Sequence, residues 1–396
     1  MIGLFLVAMF TGCNHDESPE AVDLGQTSVP AEFVSADEAT TIATAVQFGS
    51  AEATTAGGKA TTRSTGLNKE VESVTSVPDA SGATVFYVIN YKGGGFMILS
   101  ADKRVDPVLA FSETSTFPVN KALYLEGLAD WITSVKKHIS TVRKNNLLLT
   151  EEMKGAWDTS SIQTMFGPPH DSNVPWIPDN GDPSNPCHDK YLTAGPLMKT
   201  TWEQENGYND FTPALGCDNR NGRAPVGCTA LAVGQVMKYI RHPRSYNWNA
   251  MKDDKPTKET AKLLSDIGVA SQMDYKCNGS GAWLNIAASA MVNKFGYSSA
   301  QYGDFDVEKL AYEIVQKKTP VILQGYTGQD QQLGHAWVCD GYRRIVKFTF
   351  CKPHITEYLY MNWGWGGVSN GWFTLDDKWS GFDLKYHRKM VYNIRP

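Results

Sequence analysis

The sequence predicts an α+β fold, because the C-terminal half consists of helices followed by strands. Four segments have the apolar periodicity of helices, and five later segments are rich in β-branched and aromatic residues. The chain of 396 residues is longer than one average domain, so we expect two domains. The predicted helices cover residues 228–241, 257–272, 283–295 and 306–318, and the predicted strands cover 320–324, 335–339, 342–350, 357–362 and 371–375.

The N-terminal half also mixes helices with strands. Ser35 is a suitable cap for a helix at residues 36–46, and residues 120–146 carry a second apolar stripe at helical spacing. Residues 84–100 predict a β-hairpin around three consecutive glycines. Residues 50–66 are mostly Ala, Thr, Gly and Ser, which predicts a loop.

A proline-rich segment separates the two halves. Seven of the 19 prolines lie between residues 166 and 196, together with Gly, Asp and Asn. This composition indicates an irregular and accessible segment, where proteolytic cleavage is expected. The expected organisation is therefore a first domain at 14–165, a linker at 166–196 and a second domain at 197–396.

Composition argues against several classes of partner and cofactor. The formal net charge is −5 and no basic run occurs, so we expect no nucleic-acid partner. After the first dozen residues no segment approaches the ~20 apolar residues that a membrane span needs. No Cys-x-x-Cys pair occurs, so neither a zinc ribbon nor a redox pair is indicated, and we expect no metal or cofactor.

Residues 1–13 have the pattern of an export signal. Residues 1–10 are almost wholly apolar, small residues follow, and polar residues begin at Asn14. Because Cys13 directly follows a glycine, the segment resembles a bacterial lipoprotein cleavage site, which predicts lipidation of Cys13 and anchoring to the cell envelope. The alternative is a plain signal peptide, with a cysteine of no special role and a secreted product.

Seven cysteines are present, at positions 13, 187, 217, 228, 277, 339 and 351. With Cys13 set aside as a lipid anchor and Cys228 as a nucleophile, five remain, and an odd number cannot all form disulfides. Cys187 with Cys217 is one candidate bridge, which the sequence does not decide. Cys339 lies in a predicted core strand and is expected to be a buried thiol.

Cys228 is the candidate nucleophile. It follows Gly227 and begins an apolar helical run that ends near Ile240. At the start of a helix, unpaired backbone N–H groups and the positive end of the helix dipole favour the thiolate, which is the nucleophilic form. The alternative is an inert core cysteine at a helix start.

His335 is the candidate base. It follows Gly334 on a predicted strand, whereas the other seven histidines lie in less suitable contexts, such as the polar N-terminal segment and the proline-rich segment. A histidine beside a cysteine lowers the pKa of the thiol and gives an ion pair at neutral pH. The alternative is a core histidine without a chemical role.

Asn362 is a candidate for orienting this histidine. It ends a predicted strand, directly before the run Trp363-Gly364-Trp365. A side-chain amide oxygen can accept the imidazole N–H and fix its tautomer, and either tryptophan can shield that bond from water. The alternative is that Asn362 caps a turn and that the tryptophans belong to the core. The order Cys, His, Asn on these elements is typical of a papain-type cysteine peptidase.

Together these motifs resemble the streptopain family of cysteine peptidases, which is papain-like in fold. A further segment at residues 94–112 is similar to the inhibitory prosegment of that family. The matching segments of the C-terminal half span residues 199 to about 375, and they are 199–204, 227–230, 235–239, 334–336, 340–341 and 362–367.

The resemblance implies a zymogen, in which an α+β prosegment is the intramolecular inhibitor of a papain-like domain with a helical half and an antiparallel sheet half. By motif match, Cys228 is the nucleophile, His335 the base and Gln204 an oxyanion donor, while Asn362 and Trp363 are assigned to the orientation of His335. The family also implies protein or peptide substrates with a hydrophobic residue two before the scissile bond. The alternatives are a Cys–His amide hydrolase of another class, such as a cell-wall amidase, and a non-catalytic surface binding protein.

Overall fold

A large antiparallel sheet organises the protein, and helices pack on it. The computed structural model describes residues 32–56, 59–119, 126–166, 187–219, 221–327, 333–375 and 388–396. The α+β class predicted from the sequence is confirmed. The helices are α1 (Ala36–Ala45), α2 (Glu126–Lys144), α3 (Glu151–Ala156), α4 (Thr159–Met165), α5 (Cys228–Ile240), α6 (Lys258–Ala270), α7 (Leu284–Asn293) and α8 (Val307–Val315). The strands are β1 (Gln47–Ala56), β2 (Lys59–Asn68), β3 (Val71–Pro78), β4 (Thr84–Tyr91), β5 (Phe96–Ser100), β6 (Val108–Ser112), β7 (Lys190–Ala194), β8 (Ser299–Asp304), β9 (Val321–Thr327), β10 (Leu333–Thr349), β11 (Lys352–Asn362), β12 (Gly371–Thr374) and β13 (Lys389–Arg395).

The main sheet has 11 strands, in the order β3-β4-β5-β6-β12-β11-β10-β9-β13-β8, with β7 on β10. The long strand β10 pairs with β9 along its first part, with β7 along its last part and with β11 along most of its length. The sequence predicted two strands here, at 335–339 and 342–350. The structure joins them, with a shift in register between Cys339 and Gly341.

The N-terminal part of the sheet is covered on both faces. Phe86 and Val88 of β4 belong to the core that α2 completes, whereas Tyr87 and Ile89 belong to the core that α1 and α4 complete. This alternation is the period of two of a β-strand. The predicted cap of α1 is also present, because the Ser35 hydroxyl accepts from the backbone N–H of Glu38 at 3.1 Å.

The loop predicted at residues 50–66 is wrong. Residues 47–56 and 59–68 form the antiparallel hairpin β1–β2, a separate two-stranded sheet. The composition suggested a loop because Gly and Ser are frequent there, but the segment also contains several threonines, which favour strands. The predicted helix at 120–146 is described from Glu126 to Lys144, and residues 120–125 lie outside the described residues.

Helix α5 is the centre of the C-terminal helical half. Residues 229–237 of this helix are all buried. It packs against α6 and α7 on one side and against β10 on the other. Val338 of β10 belongs to the α5 core, whereas its neighbours Trp337 and Cys339 belong to the core on the opposite face of the sheet. The strand therefore separates α5 from the side on which α2 packs.

The two halves share one sheet and one core. Strand β6 of the N-terminal half pairs with β12 of the C-terminal half, through Phe111 opposite Trp372 and Ala110 opposite Phe373. Helix α2 also packs on β9 and β10. The described residues between 32 and 396 thus belong to one compact unit.

The end of the predicted linker belongs to the sheet. Residues 190–194 form β7, which pairs with residues 342–346 of β10, and residues 167–186 lie outside the described residues. The disulfides are Cys187–Cys351 and Cys217–Cys277, so the candidate Cys187–Cys217 bridge is wrong. The reason is spatial: β7 carries Cys187 to the end of β10, where the turn into β11 places Cys351. Cys339 is a buried thiol, as predicted.

The predicted signal segment at residues 1–13, with Cys13, and the polar stretch that follows lie outside the described residues. Within the described part of the chain, no helix has the length and apolar character needed to cross a membrane.

Candidate active site

The N-terminus of α5 positions Cys228. Gly227, the residue before the helix, has φ 89°, a backbone conformation that favours glycine. A Cβ at Gly227 would lie 2.7 Å from the sulfur of Met273 and 3.0 Å from the carbonyl oxygen of Ser280. Cys228 is therefore held at the first helical position, partly buried, where the helix dipole stabilises a thiolate.

Gln204 lies beside this helix start. Its side-chain oxygen accepts from the backbone N–H of Gly227 at 3.1 Å, and its backbone oxygen accepts from the N–H of Val226 at 2.9 Å. Because the side-chain oxygen is held in this way, the amide NH₂ remains as the donor end. Gln204, the predicted oxyanion donor, thus contacts Gly227, the residue directly before Cys228.

His335 is buried on β10, the strand against which α5 packs. Its Nε2 atom lies 3.0 Å from the backbone oxygen of Trp363. A carbonyl oxygen can only accept, so Nε2 carries a hydrogen in this contact. In the neutral ring, Nδ1 then holds the lone pair and is the atom that can take up a proton.

The Trp363 carbonyl is held by its own loop. The backbone N–H of Trp363 donates to the side-chain oxygen of Asn370 at 3.0 Å, and its indole N–H donates to the backbone oxygen of Ser369 at 3.0 Å. Trp363 therefore contacts His335 through its main chain, whereas the sequence singled it out for its ring. Because every residue has a backbone carbonyl, this contact cannot be predicted from the residue types.

Asn362 is almost completely buried in the same loop. Its amide NH₂ donates to the backbone oxygen of Thr200 at 2.7 Å, and its oxygen accepts from the N–H of Gly364 at 3.2 Å and from the amide of Gln235 at 3.4 Å. These bonds connect the start of the C-terminal half, helix α5 and the loop after β11. The structure thus brings Asn362 together with the Trp363 loop and with helix α5, which begins at the candidate nucleophile Cys228.

Tryptophan rings surround the imidazole of His335. The Trp337 ring is nearly parallel to it, with ring centroids 6.0 Å apart, and the Trp365 ring lies 5.4 Å away. Trp363 in turn stacks on Trp365 at 5.5 Å. Apolar rings keep the surroundings of the imidazole poor in water, which strengthens the hydrogen bonds there. In the sequence, Trp337 resembles any apolar residue of a core strand, so its position beside His335 is not predictable from its residue type.

The N-terminal half reaches this cluster through α2. A Cβ placed at Gly127 would lie 3.0 Å from ring atoms of both Trp337 and Trp363. The backbone of α2 therefore touches the rings that surround His335, on the face of the sheet opposite to α5.

An open cleft of about 430 Å³ adjoins Gln204. The residues that line the cleft include Gln204, Cys277, Gly364 and Trp365. In the described ranges, no group of three or more His, Cys, Asp or Glu side chains is arranged to hold a metal ion.

Asp340 anchors the start of the C-terminal half on β10. Its carboxylate accepts from the backbone N–H of Met198 at 2.7 Å, and its backbone oxygen accepts from the N–H of Leu197 at 3.0 Å. Burial raises the pKa of Asp340 to about 7. The carboxyl group thus positions the segment that leads into Gln204.

Comparison with known proteins assigns each half of the chain. Residues 202–373 match the family model of the Peptidase C10 family, and residues 31–139 match that of the Spi protease inhibitor. Streptopain of Streptococcus pyogenes serotype M1 is 26% identical over 320 residues, which cover 75% of each protein.

Two further proteins are similar. A thiol protease/hemagglutinin of Porphyromonas gingivalis is 23% identical over 333 residues, which cover 74% of this chain and 34% of that protein. Among solved structures, a fragment of prointerpain A from Prevotella intermedia has a TM-score of 0.54 and 23% identity, covering 82% of this chain and 99% of the fragment. This likeness shows that the papain-like zymogen fold is shared.

Proposed function

Because the chain belongs to the streptopain (Peptidase C10) family of cysteine peptidases and carries a prosegment inhibitor domain, we propose that it is an endopeptidase that uses Cys228 as nucleophile and His335 as base. The observation that carries the assignment is the contact between His335 Nε2 and the Trp363 carbonyl at 3.0 Å. It sets the ring so that Nδ1 is the basic atom, on the strand that packs against the helix of Cys228.

The reaction follows from these positions. His335 takes the thiol proton, and the Cys228 thiolate attacks the substrate carbonyl carbon. The negative charge that develops on the carbonyl oxygen is stabilised by the backbone N–H of Cys228 and by the amide NH₂ of Gln204. The tetrahedral intermediate collapses to a thioester as His335 gives its proton to the leaving amine. Water then hydrolyses the thioester with His335 as the base.

Trp363 and Asn362 act as positioning residues in this proposal. The Trp363 carbonyl orients the imidazole directly, and Asn362 holds the loop that presents the carbonyl, through its bonds to Thr200, Gly364 and Gln235. Asn362 thus links the orientation of His335 to helix α5, which bears the nucleophile.

We place the inhibitor domain at residues 14–165 and the activating cleavage in the proline-rich linker that follows, within 167–186. Cleavage there would leave β7 and Cys187 with the catalytic domain, since β7 pairs with β10 and Cys187 is bonded to Cys351. The packing of α2 at Gly127 against Trp337 and Trp363 supports inhibition through the surroundings of His335.

A hydrophobic substrate residue two before the scissile bond is supported by Trp283. This side chain is 55% exposed and follows Ala282, whose backbone oxygen accepts from the hydroxyl of Thr229, the residue after Cys228. A large apolar surface is thus available near the nucleophile. The N-terminal segment supports export, with anchoring through a lipidated Cys13.

The test is to label purified full-length protein with a thiol-directed epoxide, before and after limited proteolysis, and to follow casein cleavage. We expect the label on Cys228 and loss of cleavage with labelling. The variants Cys228→Ala and His335→Ala should be inactive and remain unprocessed, whereas the control His242→Ala, outside the site, should be active. Labelling elsewhere, or casein cleavage by folded His335→Ala at the normal rate, would contradict the assignment.

A further inference from the structure

Two glutamates stand beside the proposed oxyanion donor. Glu203 and Glu205 flank Gln204 in the sequence, and both line the cleft of about 430 Å³ that Gln204 and Trp365 border. The remaining described residues that line this cleft carry no charge, so the two carboxylates determine its electrostatic character.

Neither carboxylate is neutralised within the described part of the chain. Glu203 accepts a hydrogen bond from the amide of Asn206 at 3.0 Å, and neither glutamate has an ion pair there with a lysine or arginine. Lys276, which precedes the cleft-lining residue Cys277, forms an ion pair with Asp274 at 2.5 Å. Two half-buried carboxylates among otherwise uncharged lining residues favour a cation in the cleft.

The acidic character continues into a neighbouring cleft of about 120 Å³. This second cleft shares Glu205 and Asn206 with the first and adds Asp210. Trp365, which also lines the first cleft, supplies an aromatic surface of the kind that attracts guanidinium and ammonium groups. The acidic and aromatic residues that line the first cleft thus fit the side chain of lysine or arginine.

We propose that Glu203 and Glu205 are specificity-determining residues that favour a lysine or arginine next to the scissile bond. The proposal rests on the proposed function, since it takes Gln204 and Cys228 as the place where the scissile carbonyl binds. Because Gln204 lies between the two glutamates, a residue bound next to that carbonyl reaches the acidic part of the cleft.

Matched quenched peptides test the proposal on the full-length chain after activation. One series varies the residue before the scissile bond and another the residue after it, each with Lys, Gln or Glu, and kcat/KM is measured for each peptide. We expect Lys peptides to exceed Gln peptides about tenfold in one of the two series, which is what two partly exposed ion pairs supply. This ratio should shrink as salt is raised from 0.05 to 0.5 M.

Variants assign the preference to the two glutamates. In the double variant Glu203→Gln, Glu205→Gln, the Lys-to-Gln ratio should fall to about two, and in Glu203→Lys, Glu205→Lys the enzyme should favour Glu peptides. The control Glu308→Gln, an exposed carboxylate on α8, should keep the wild-type ratio. A ratio near one in the wild type, or an unchanged ratio in the double variant, would overturn this inference alone. Failure to cleave any peptide, with no label on Cys228, would overturn the proposed function and this inference together.

Discussion

Asp106 connects the inhibitor domain to the catalytic domain, and its replacement by asparagine should loosen the zymogen. Asp106 lies in the connection between β5 and β6. Its carboxylate accepts from Nε2 of His354 at 2.7 Å and from the hydroxyl of Thr356 at 2.9 Å, and both of these residues are on β11. Burial alone would raise the pKa of Asp106, but the hydrogen bonds and charge of His354 outweigh it and hold the pKa below its usual value. The carboxylate is therefore ionised at neutral pH, and it stabilises docking above the ordinary carboxyl pKa of ~4.

The magnitude follows from these two bonds. Hydrogen bonds to a charged group contribute about 1.5–3 kcal/mol each, against about 0.5–1.5 kcal/mol for neutral groups. Asp106→Asn keeps the shape but removes the charge, so we expect a loss of about 1 kcal/mol per bond. Since both side chains of the pair are only 17% exposed, solvent screening reduces this little. A total of about 2 kcal/mol corresponds to a roughly 30-fold larger population of the undocked state.

The assay is the rate at which the thiol-directed epoxide labels Cys228 in uncleaved chains at pH 7, followed by intact mass. If the thiol reacts only when the inhibitor domain opens, the rate is proportional to the open population. Asp106→Asn should react about 30-fold faster than the wild type, and His354→Gln should give a similar increase that is not additive with it. The control Asp37→Asn, an exposed carboxylate on α1, should react like the wild type. Equal rates in Asp106→Asn and the wild type would refute the reasoning.

Three further predictions concern stability. Burial lowers the pKa of His138 to about 4, so between pH ~6.5 and 4 the unfolded chain binds a proton at this residue and the folded chain does not. Urea titrations should therefore show the free energy of unfolding falling by about 3 kcal/mol between pH 6.5 and 4. A flat profile would contradict this. Gly227→Ala places a Cβ 2.7 Å from the sulfur of Met273, on a residue whose φ is 89°. It should lower the free energy of unfolding by about 1–3 kcal/mol and kcat/KM at least tenfold. Normal kinetics would count against the helix start as part of the site. Cys187→Ser opens a loop of 164 residues and should lower stability by about 4–5 kcal/mol under oxidising conditions, whereas an equal melting temperature would show that the bridge to Cys351 contributes nothing.

The elements with a strong apolar pattern were predictable from the sequence. Helix α5 was expected at 228–241 and is present at 228–240, because its apolar run and glycine start are unambiguous. Strand β10 was divided into two at Asp340 and Gly341, since the shift in register there interrupts the alternation of side chains. Strands β7 and β8 were not predicted, because they are only partly buried and so lack the regular alternation that reveals a strand.

The site was predictable only as far as it depends on side chains. Cys228 and His335 stood out as chemical groups next to glycines, and the structure places them on two elements that pack together. His335 Nε2 contacts the backbone oxygen of Trp363, whose N–H is bonded to Asn370. Every residue has a backbone carbonyl, so the residue types could not predict which one contacts His335. The disulfides were equally hidden, because the partner of Cys187 is 164 residues away and is chosen by the path of β7 along β10.

Because the two halves share one sheet, we expect activation to require the separation of their packed surfaces as well as cleavage of the chain. Only two residue pairs join β6 to β12, so backbone hydrogen bonds contribute little to the junction. The apolar contacts are extensive by comparison: Phe111 packs on Tyr358 and Trp372, and Trp131 packs on Phe373. The proposed cleavage within 167–186 would break only the chain, so these non-covalent contacts between the two domains would stay in place. Since burial of aromatic side chains is the main source of such binding energy, we expect the severed inhibitor domain to stay bound. The contacts of α2 with the rings around His335 should then persist until the inhibitor domain dissociates or is degraded.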